Sequence, residues 1–171
     1  MKHLIVIDMQ NDFIDGALAN PAAQAIIPTL AEEIRKVAQD KGSVIFTRDT
    51  HYEANYADTK EGKCIPQHCI KTTHGWEVND TLKEAAKGAF IAYMDKTTFA
   101  YNDWSNYLNP GDSVVLTGTC SEICVDANAN AIIAQFPDMS VTVMKDCCAG
   151  LTPEGHEAAM KAMAAKLIQI I

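Results

Sequence analysis

The 171-residue chain has no basic stripe: 14 lysines and arginines face 22 aspartates and glutamates, for a net charge of −8. Binding to a nucleic-acid backbone needs clustered cations, so a nucleic-acid partner is excluded. Long apolar runs are missing too. Leu4 to Ile7 is the first hydrophobic stretch, and it ends at once in Asp8. That is far short of a signal-peptide core or a membrane span, so no membrane association is expected. The six cysteines contain no C-x-x-C pair and no spaced framework: they fall as Cys64 and Cys69, Cys120 and Cys124, and the adjacent Cys147 and Cys148. Reduced thiols in a cytoplasmic protein are the expectation. Repeats, low-complexity tracts and an interdomain linker are also lacking. The chain reads as one domain over 1–171, long enough to bury about 70% of its unfolded surface.

What is present is a regular alternation. Apolar, β-branched runs at Leu4–Ile7, Val44–Thr47, Phe90–Met94, Val114–Thr117 and Val141–Met144 are separated by stretches of helical period. Near-continuous hydrophobicity is what strands buried on both faces of a parallel sheet require. Ile26, Ile27, Leu30, Ile34 and Val37 share one helix face, as do Val125, Ala129, Ile132, Ile133 and Phe136. Thr152-Pro153-Glu154 opens a last helix, predicted to run through Met160, Met163 and Leu167 to the end. The pattern predicts a three-layer α/β/α fold around an open, doubly wound, mostly parallel sheet of five or six strands. One segment, Tyr52 to Val78, has neither period and is too long for a plain connection. It carries two histidines and two cysteines, which points to function.

In such sheets the ligand crevice lies beyond the carboxyl ends of the strands. Asp8, Asp49, Lys96 and the turn Gly118–Cys124 each follow a strand candidate, so they should converge there. Ser121 can cap the helix after Gly118, placing Cys124 in its first turn, where backbone N–H groups and the helix dipole should lower the thiol pKa. The N–H groups of Cys120 and Cys124 could then hold an oxyanion. A lone free cysteine is commonly an inert core residue, an aspartate after a strand a turn residue, and a lysine there solvated. All three at one sheet edge favour chemistry. A second constellation is Asp49-Thr50-His51 with His68 seventeen residues beyond. One carboxylate and two imidazoles suit Zn²⁺, Mn²⁺ or Fe²⁺; a surface Asp–His pair with an unrelated loop histidine is the competing reading. His74 and His156 read as structural or surface residues, and Cys69 as packing sooner than a soft ligand. Cys64, Cys147 and Cys148 receive no role. Phe13, five residues after Asp8, offers an aromatic pocket wall.

These stretches resemble the isochorismatase-like cysteine hydrolase superfamily, and within it the nicotinamidases. The likeness rests on Val6-Ile7-Asp8-Met9-Gln10-Asn11-Asp12-Phe13, on Asp95-Lys96-Thr97-Thr98-Phe99, and on Gly118 through Cys124-Val125. It implies a catalytic triad of Asp8, Lys96 and Cys124. It also implies a non-proline cis peptide near Thr119-Cys120 that shapes the oxyanion hole of Cys120 and Cys124, and a pocket including Phe13 and Thr119. Thr47 to His51 with Pro66-Gln67-His68-Cys69 resembles the nicotinamidase metal loop, implying Asp49, His51 and His68 as ligands of a divalent ion, zinc first. The chain departs from that pattern at Asn55-Tyr56-Ala57, where nicotinamidases typically carry another histidine, and at Ile65, where many have tryptophan. The implied activity is hydrolysis of a small amide, nicotinamide to nicotinate and ammonia, in pyridine nucleotide salvage, by a dimer or tetramer. Competing expectations are a metal-free N-carbamoyl or ureido amidohydrolase, a non-catalytic α/β ligand-binding protein, and a thiol redox protein using Cys120.

Overall fold

A computed structural model describes residues 1–171. Six strands form one sheet: β1 (Lys2–Ile7), β2 (Ser43–Asp49), β3 (Phe90–Lys96), β4 (Ser113–Thr119), β5 (Ser140–Ala149) and β6 (Gln169–Ile170). Their order is β3-β2-β1-β4-β5-β6, and every pairing is parallel. Helices α1 (Asn11–Ile14), α2 (Pro21–Gln39), α3 (Asp80–Ala85), α4 (Asp126–Gln135) and α5 (Pro153–Ala164) lie between the strands.

The period-two alternation of β1 divides the core. Ile5 and Ile7 pack with Leu116, Val143, Ile132 and Met163 on the side of α4 and α5. Leu4 and Val6 pack with Phe46, Leu30, Ile34 and Leu82 on the side of α2 and α3. With apolar side chains on both faces, the central strand can be covered only by a layer on each side. Local signals set the helix starts. Asn20 accepts the Ala22 N–H ahead of Pro21, and Thr152 accepts the Gly155 N–H ahead of Pro153.

The last helix is shorter than its sequence period predicts. It stops at Ala164, Leu167 takes a left-handed φ of 65°, and Gln169 and Ile170 pair with Thr142 and Val143 as the sixth strand. Buried Ile168 joins the core while Leu167 stays exposed, so packing of the β-branched tail overrides the helical spacing.

The sheet order reverses around β1, which has β2 on one side and β4 on the other. That switch point opens the ligand crevice of doubly wound sheets. Here β1 and β4 leave no room for a side chain at Gly118. Gly118 pairs with Ile7 at φ 106°, and a Cβ on it would sit 2.1 Å from the Ile7 carbonyl oxygen. Only glycine fits.

Candidate active site

Asp8 is the first residue beyond β1, at φ 49°, and it is fully buried. Thr47 of β2 fixes it from both ends: its hydroxyl accepts the Asp8 N–H (3.1 Å) and donates to Oδ1 (2.7 Å). Lys96 ends β3, two strands away, in register with Asp49. Its long side chain crosses over β2, so that Nζ stands 2.7 Å from Asp8 Oδ2, 3.5 Å from Asp49 Oδ1 and 3.8 Å from Cys124 Sγ. Apart from that ion pair, Asp8 Oδ2 has no aligned hydrogen-bond donor, which leaves it able to take a proton.

Cys124 lies in a π-helical turn, Ser121–Val125, that leads into α4. The Val125 N–H reaches back five residues to the Cys120 carbonyl, which also accepts the Ile123 N–H (both 3.1 Å). Such turns recur at functional sites because the widened helix re-aims a side chain. Ser121 does not cap this helix as expected; its hydroxyl bonds His156 Nδ1 (2.8 Å). Buried Asn128 ties the turn to the segment after β3, donating to the carbonyls of Cys124 (2.8 Å) and Phe99 (3.2 Å). The Thr119–Cys120 peptide is cis.

The thiol pKa runs opposite to the sequence expectation. Burial pushes Cys124 well above the ordinary thiol range and the Asp8 carboxylate adds to the shift, with Lys96 only partly opposing. Asp8 is likewise raised by burial against the pull of Lys96. For Lys96 burial would lower the pKa, but Asp8, Cys124 and Asp49 outweigh it and keep the ammonium charged. Desolvation in the crevice thus favours the neutral thiol beside the lysine.

Next to this corner, Asp49, His51, Glu61 and His68 each present one donor atom, all within 4.8 Å of one another. His51 Nε2 lies 3.0 Å from Asp49 Oδ2 and 3.6 Å from Glu61, and His68 Nε2 lies 3.3 Å and 3.7 Å from the same two carboxylates. The His68 Nδ1–H donates to the Pro66 carbonyl (2.8 Å), which turns Nε2 toward the cluster. Burial would raise the Asp49 pKa, yet hydrogen bonds from His51 and His68 and the charge of Lys96 hold it well below the carboxylate range. Burial would lower that of His68, yet Asp49 raises it. Two carboxylates around two buried imidazoles call for positive charge. The N₂O₂ donor set fits a divalent ion such as zinc.

The two corners share a cavity of about 360 Å³, lined by Phe13, Ile65, Phe99, Thr119, Cys120 and Cys124 among others, with Asp49, Glu61 and His68 in its wall. Phe13 and Thr119 both line this cavity, and the Phe13 ring lies 5.5 Å from that of His68.

The isochorismatase domain family matches residues 2–171. The chain belongs to the isochorismatase family. Family members similar to it include the nicotinamidase of Saccharomyces cerevisiae, 28% identical over 85% of this chain and 87% of that one. The structure is similar to that of the pyrazinamidase/nicotinamidase of Streptococcus mutans (TM-score 0.86, 27% identity, 100% of both chains). It is also similar to the pyrazinamidase of Pyrococcus horikoshii, solved in complex with zinc (TM-score 0.82, 29% identity, 99% and 98% of the chains).

Against this family background, the sequence reading missed Glu61. It is one of several acidic residues in the unpatterned loop, with Glu53 and Asp58, and only the path of that loop singles it out. Cys69 is buried and offers the cluster no donor; its thiol is pushed far up by burial. His74 is exposed. Trp76 lies outside the cavity, its ring 3.9 Å under the Arg48 guanidinium.

Proposed function

We propose that the chain is a metal-assisted cysteine amidohydrolase that converts nicotinamide to nicotinate and ammonia through a thioester on Cys124. The observation that carries this reading is the shared cavity. A buried thiol and three of the four cluster residues, Asp49, Glu61 and His68, line one apolar space walled by Phe13 and Phe99, with Lys96 Nζ 3.8 Å from the sulfur. An aromatic amide with a ring nitrogen matches that wall and both ends.

In the proposed cycle, Asp8 takes the Cys124 proton as the sulfur attacks the amide carbonyl carbon. Lys96 holds the developing negative charge on sulfur by its fixed ammonium. The N–H groups of Cys120 and Cys124 receive the oxyanion, where a preorganised donor stabilises the transition state more than the ground state. Asp8 then gives its proton to the departing ammonia. Afterwards it draws a proton from water, whose oxygen attacks the thioester carbonyl and releases the carboxylate and the thiol. A carboxylate whose pKa is raised by burial is better placed to act as acid as well as base. Asp49, His51, Glu61 and His68 would hold the ion, which when bound supplies a Lewis-acid anchor for the substrate's ring nitrogen or a water. Asp49 also faces Lys96 through Oδ1, so one side chain aligns both corners.

The donor cluster on the cavity wall favours this reading over a metal-free carbamoyl amidohydrolase. The test is ammonia release from nicotinamide by the purified protein, with Cys124→Ala as the blank. Cysteine-dependent release is expected. No release from nicotinamide, with release from an N-carbamoyl compound in metal-stripped protein, would overturn the assignment.

A further inference from the structure

The donor cluster is assembled from two parts of the chain, Asp49 and His51 at the end of β2 and Glu61 and His68 on the long loop. Two side chains from the segment after β1 reach both parts without offering a donor atom to the cluster. Gln10 is fully buried. Its amide treats Asp49 as a neighbouring strand would: Oε1 accepts the Asp49 N–H (2.7 Å) and Nε2 donates to the Asp49 carbonyl (2.8 Å). The second Nε2 hydrogen bond goes to the Trp76 carbonyl (2.9 Å), which anchors the far end of the loop to the same side chain.

Asp12 serves the other part. Its Oδ2 accepts the Cys69 N–H at 2.7 Å, holding Cys69 at a left-handed φ of 47° immediately after His68. The Cys69 carbonyl in turn accepts the His51 N–H (3.0 Å). One residue is therefore tied to Asp12 through its nitrogen and to His51 through its oxygen, with His68 next to it in the chain. Close approach is required here: a Cβ on Gly75 would lie 2.2 Å from Asp12 Oδ2. The Asp12 N–H bonds the Gly75 carbonyl (2.9 Å).

We infer that Gln10 and Asp12 are positioning residues of the metal centre, setting the spacing between Asp49 and the two histidines. The inference rests on reading the cluster as a metal centre. Metal affinity depends on donor spacing to within fractions of an ångström, so groups that fix ligand backbones act on it as outer-shell hydrogen bonds do. Gln10→Met removes all three amide contacts at similar volume, and Asp12→Ala removes both acceptor contacts of the carboxylate, to the N–H groups of Cys69 and of Ala17 (3.1 Å).

The experiment measures zinc affinity of the metal-stripped full chain by competition with a chromophoric chelator. It is run alongside Tm and the alkylation rate of Cys124 in the same protein. Each variant should bind zinc on the order of tenfold more weakly or worse, with Cys124 alkylation unchanged. Ile34→Val, a core change in α2 remote from the cluster, should lower Tm without moving zinc affinity. Wild-type zinc affinity in folded Asp12→Ala would overturn the inference, as would equal weakening in Ile34→Val or failure of the wild type to bind zinc. Asp12 is only half-buried, so its variant decides the matter if Gln10→Met does not fold. No substrate enters the assay, so the result stands apart from the identity of the amide.

Discussion

The nucleophile corner and the donor cluster face one cavity but are held in place by different means. Asp8 and Lys96 sit at the ends of β1 and β3, where strand register fixes their backbones, and Cys124 sits in the π turn that follows β4. Glu61 and His68 sit on a loop with little regular structure. That loop is held by side chains from elsewhere, by the bridge of His51 to Ile70, and by a Tyr56 hydroxyl that bonds the carbonyls at Ile65 and Pro66. Scaffold rigidity and loop bracing are separate solutions to the same need for preorganisation. The first depends on the hydrophobic core; the second depends on a few polar contacts. Asp49 belongs to both, as the last residue of β2 and the partner of Lys96, His51 and His68.

The largest test of that division is Cys124→Ala. Turnover should vanish in an ammonia-release assay while zinc affinity stays at the wild-type value; loss of both would mean the corners are not independent. Asp8→Asn comes next. It removes the proposed base but keeps the shape, so kcat should fall by roughly 10²–10⁴-fold, the range for a lost general acid–base group. Residual activity near wild type would assign the proton transfers elsewhere.

On the other side, Glu61→Gln should weaken zinc binding by roughly 10–100-fold and raise KM for nicotinamide, leaving the alkylation of Cys124 as it was. Lys96→Met spans both corners. It leaves the buried carboxylates of Asp8 and Asp49 without their cation, a loss of about 3 kcal/mol in unfolding free energy. The smallest effect is on the thiol. Because burial holds the Cys124 pKa above the ordinary thiol range, its alkylation by iodoacetamide should keep accelerating beyond pH 9. In Lys96→Met the thiolate loses its cation, so the rate at any given pH should drop several-fold. A plateau near neutrality in the wild-type protein, read from the mass of the Cys124 peptide, would mean a thiolate already formed at rest.

Particular residues show how far the sequence could be read. The β1 run Leu4–Ile7 announces a strand buried on both faces, and Asp8 breaks it at the point where the crevice begins. The wide helical turn around Cys124 was readable as a helix start but not as a π turn, since that depends on which carbonyl the Val125 N–H finds. Ser121 looked like a cap and bonds His156 instead, a contact over 35 residues. Leu167 had the right spacing for a helix and lies beyond its end, because Ile168 packs into the core. Glu61 could not be chosen over Glu53 or Asp58 without the loop's path.

By itself, the sequence determined the alternation of strand and helix, the parallel sheet, and which side chains stand at strand ends, because hydrophobic period and turn chemistry are local properties. The tertiary structure alone decided which distant groups meet. It brought Lys96 across β2 to Asp8, closed the cluster with Glu61, and placed Gln10 and Asp12 behind it. It also raised the thiol pKa that the helix start would have lowered. Burial and long-range contacts set these outcomes, and neither can be read from a residue's neighbours along the chain.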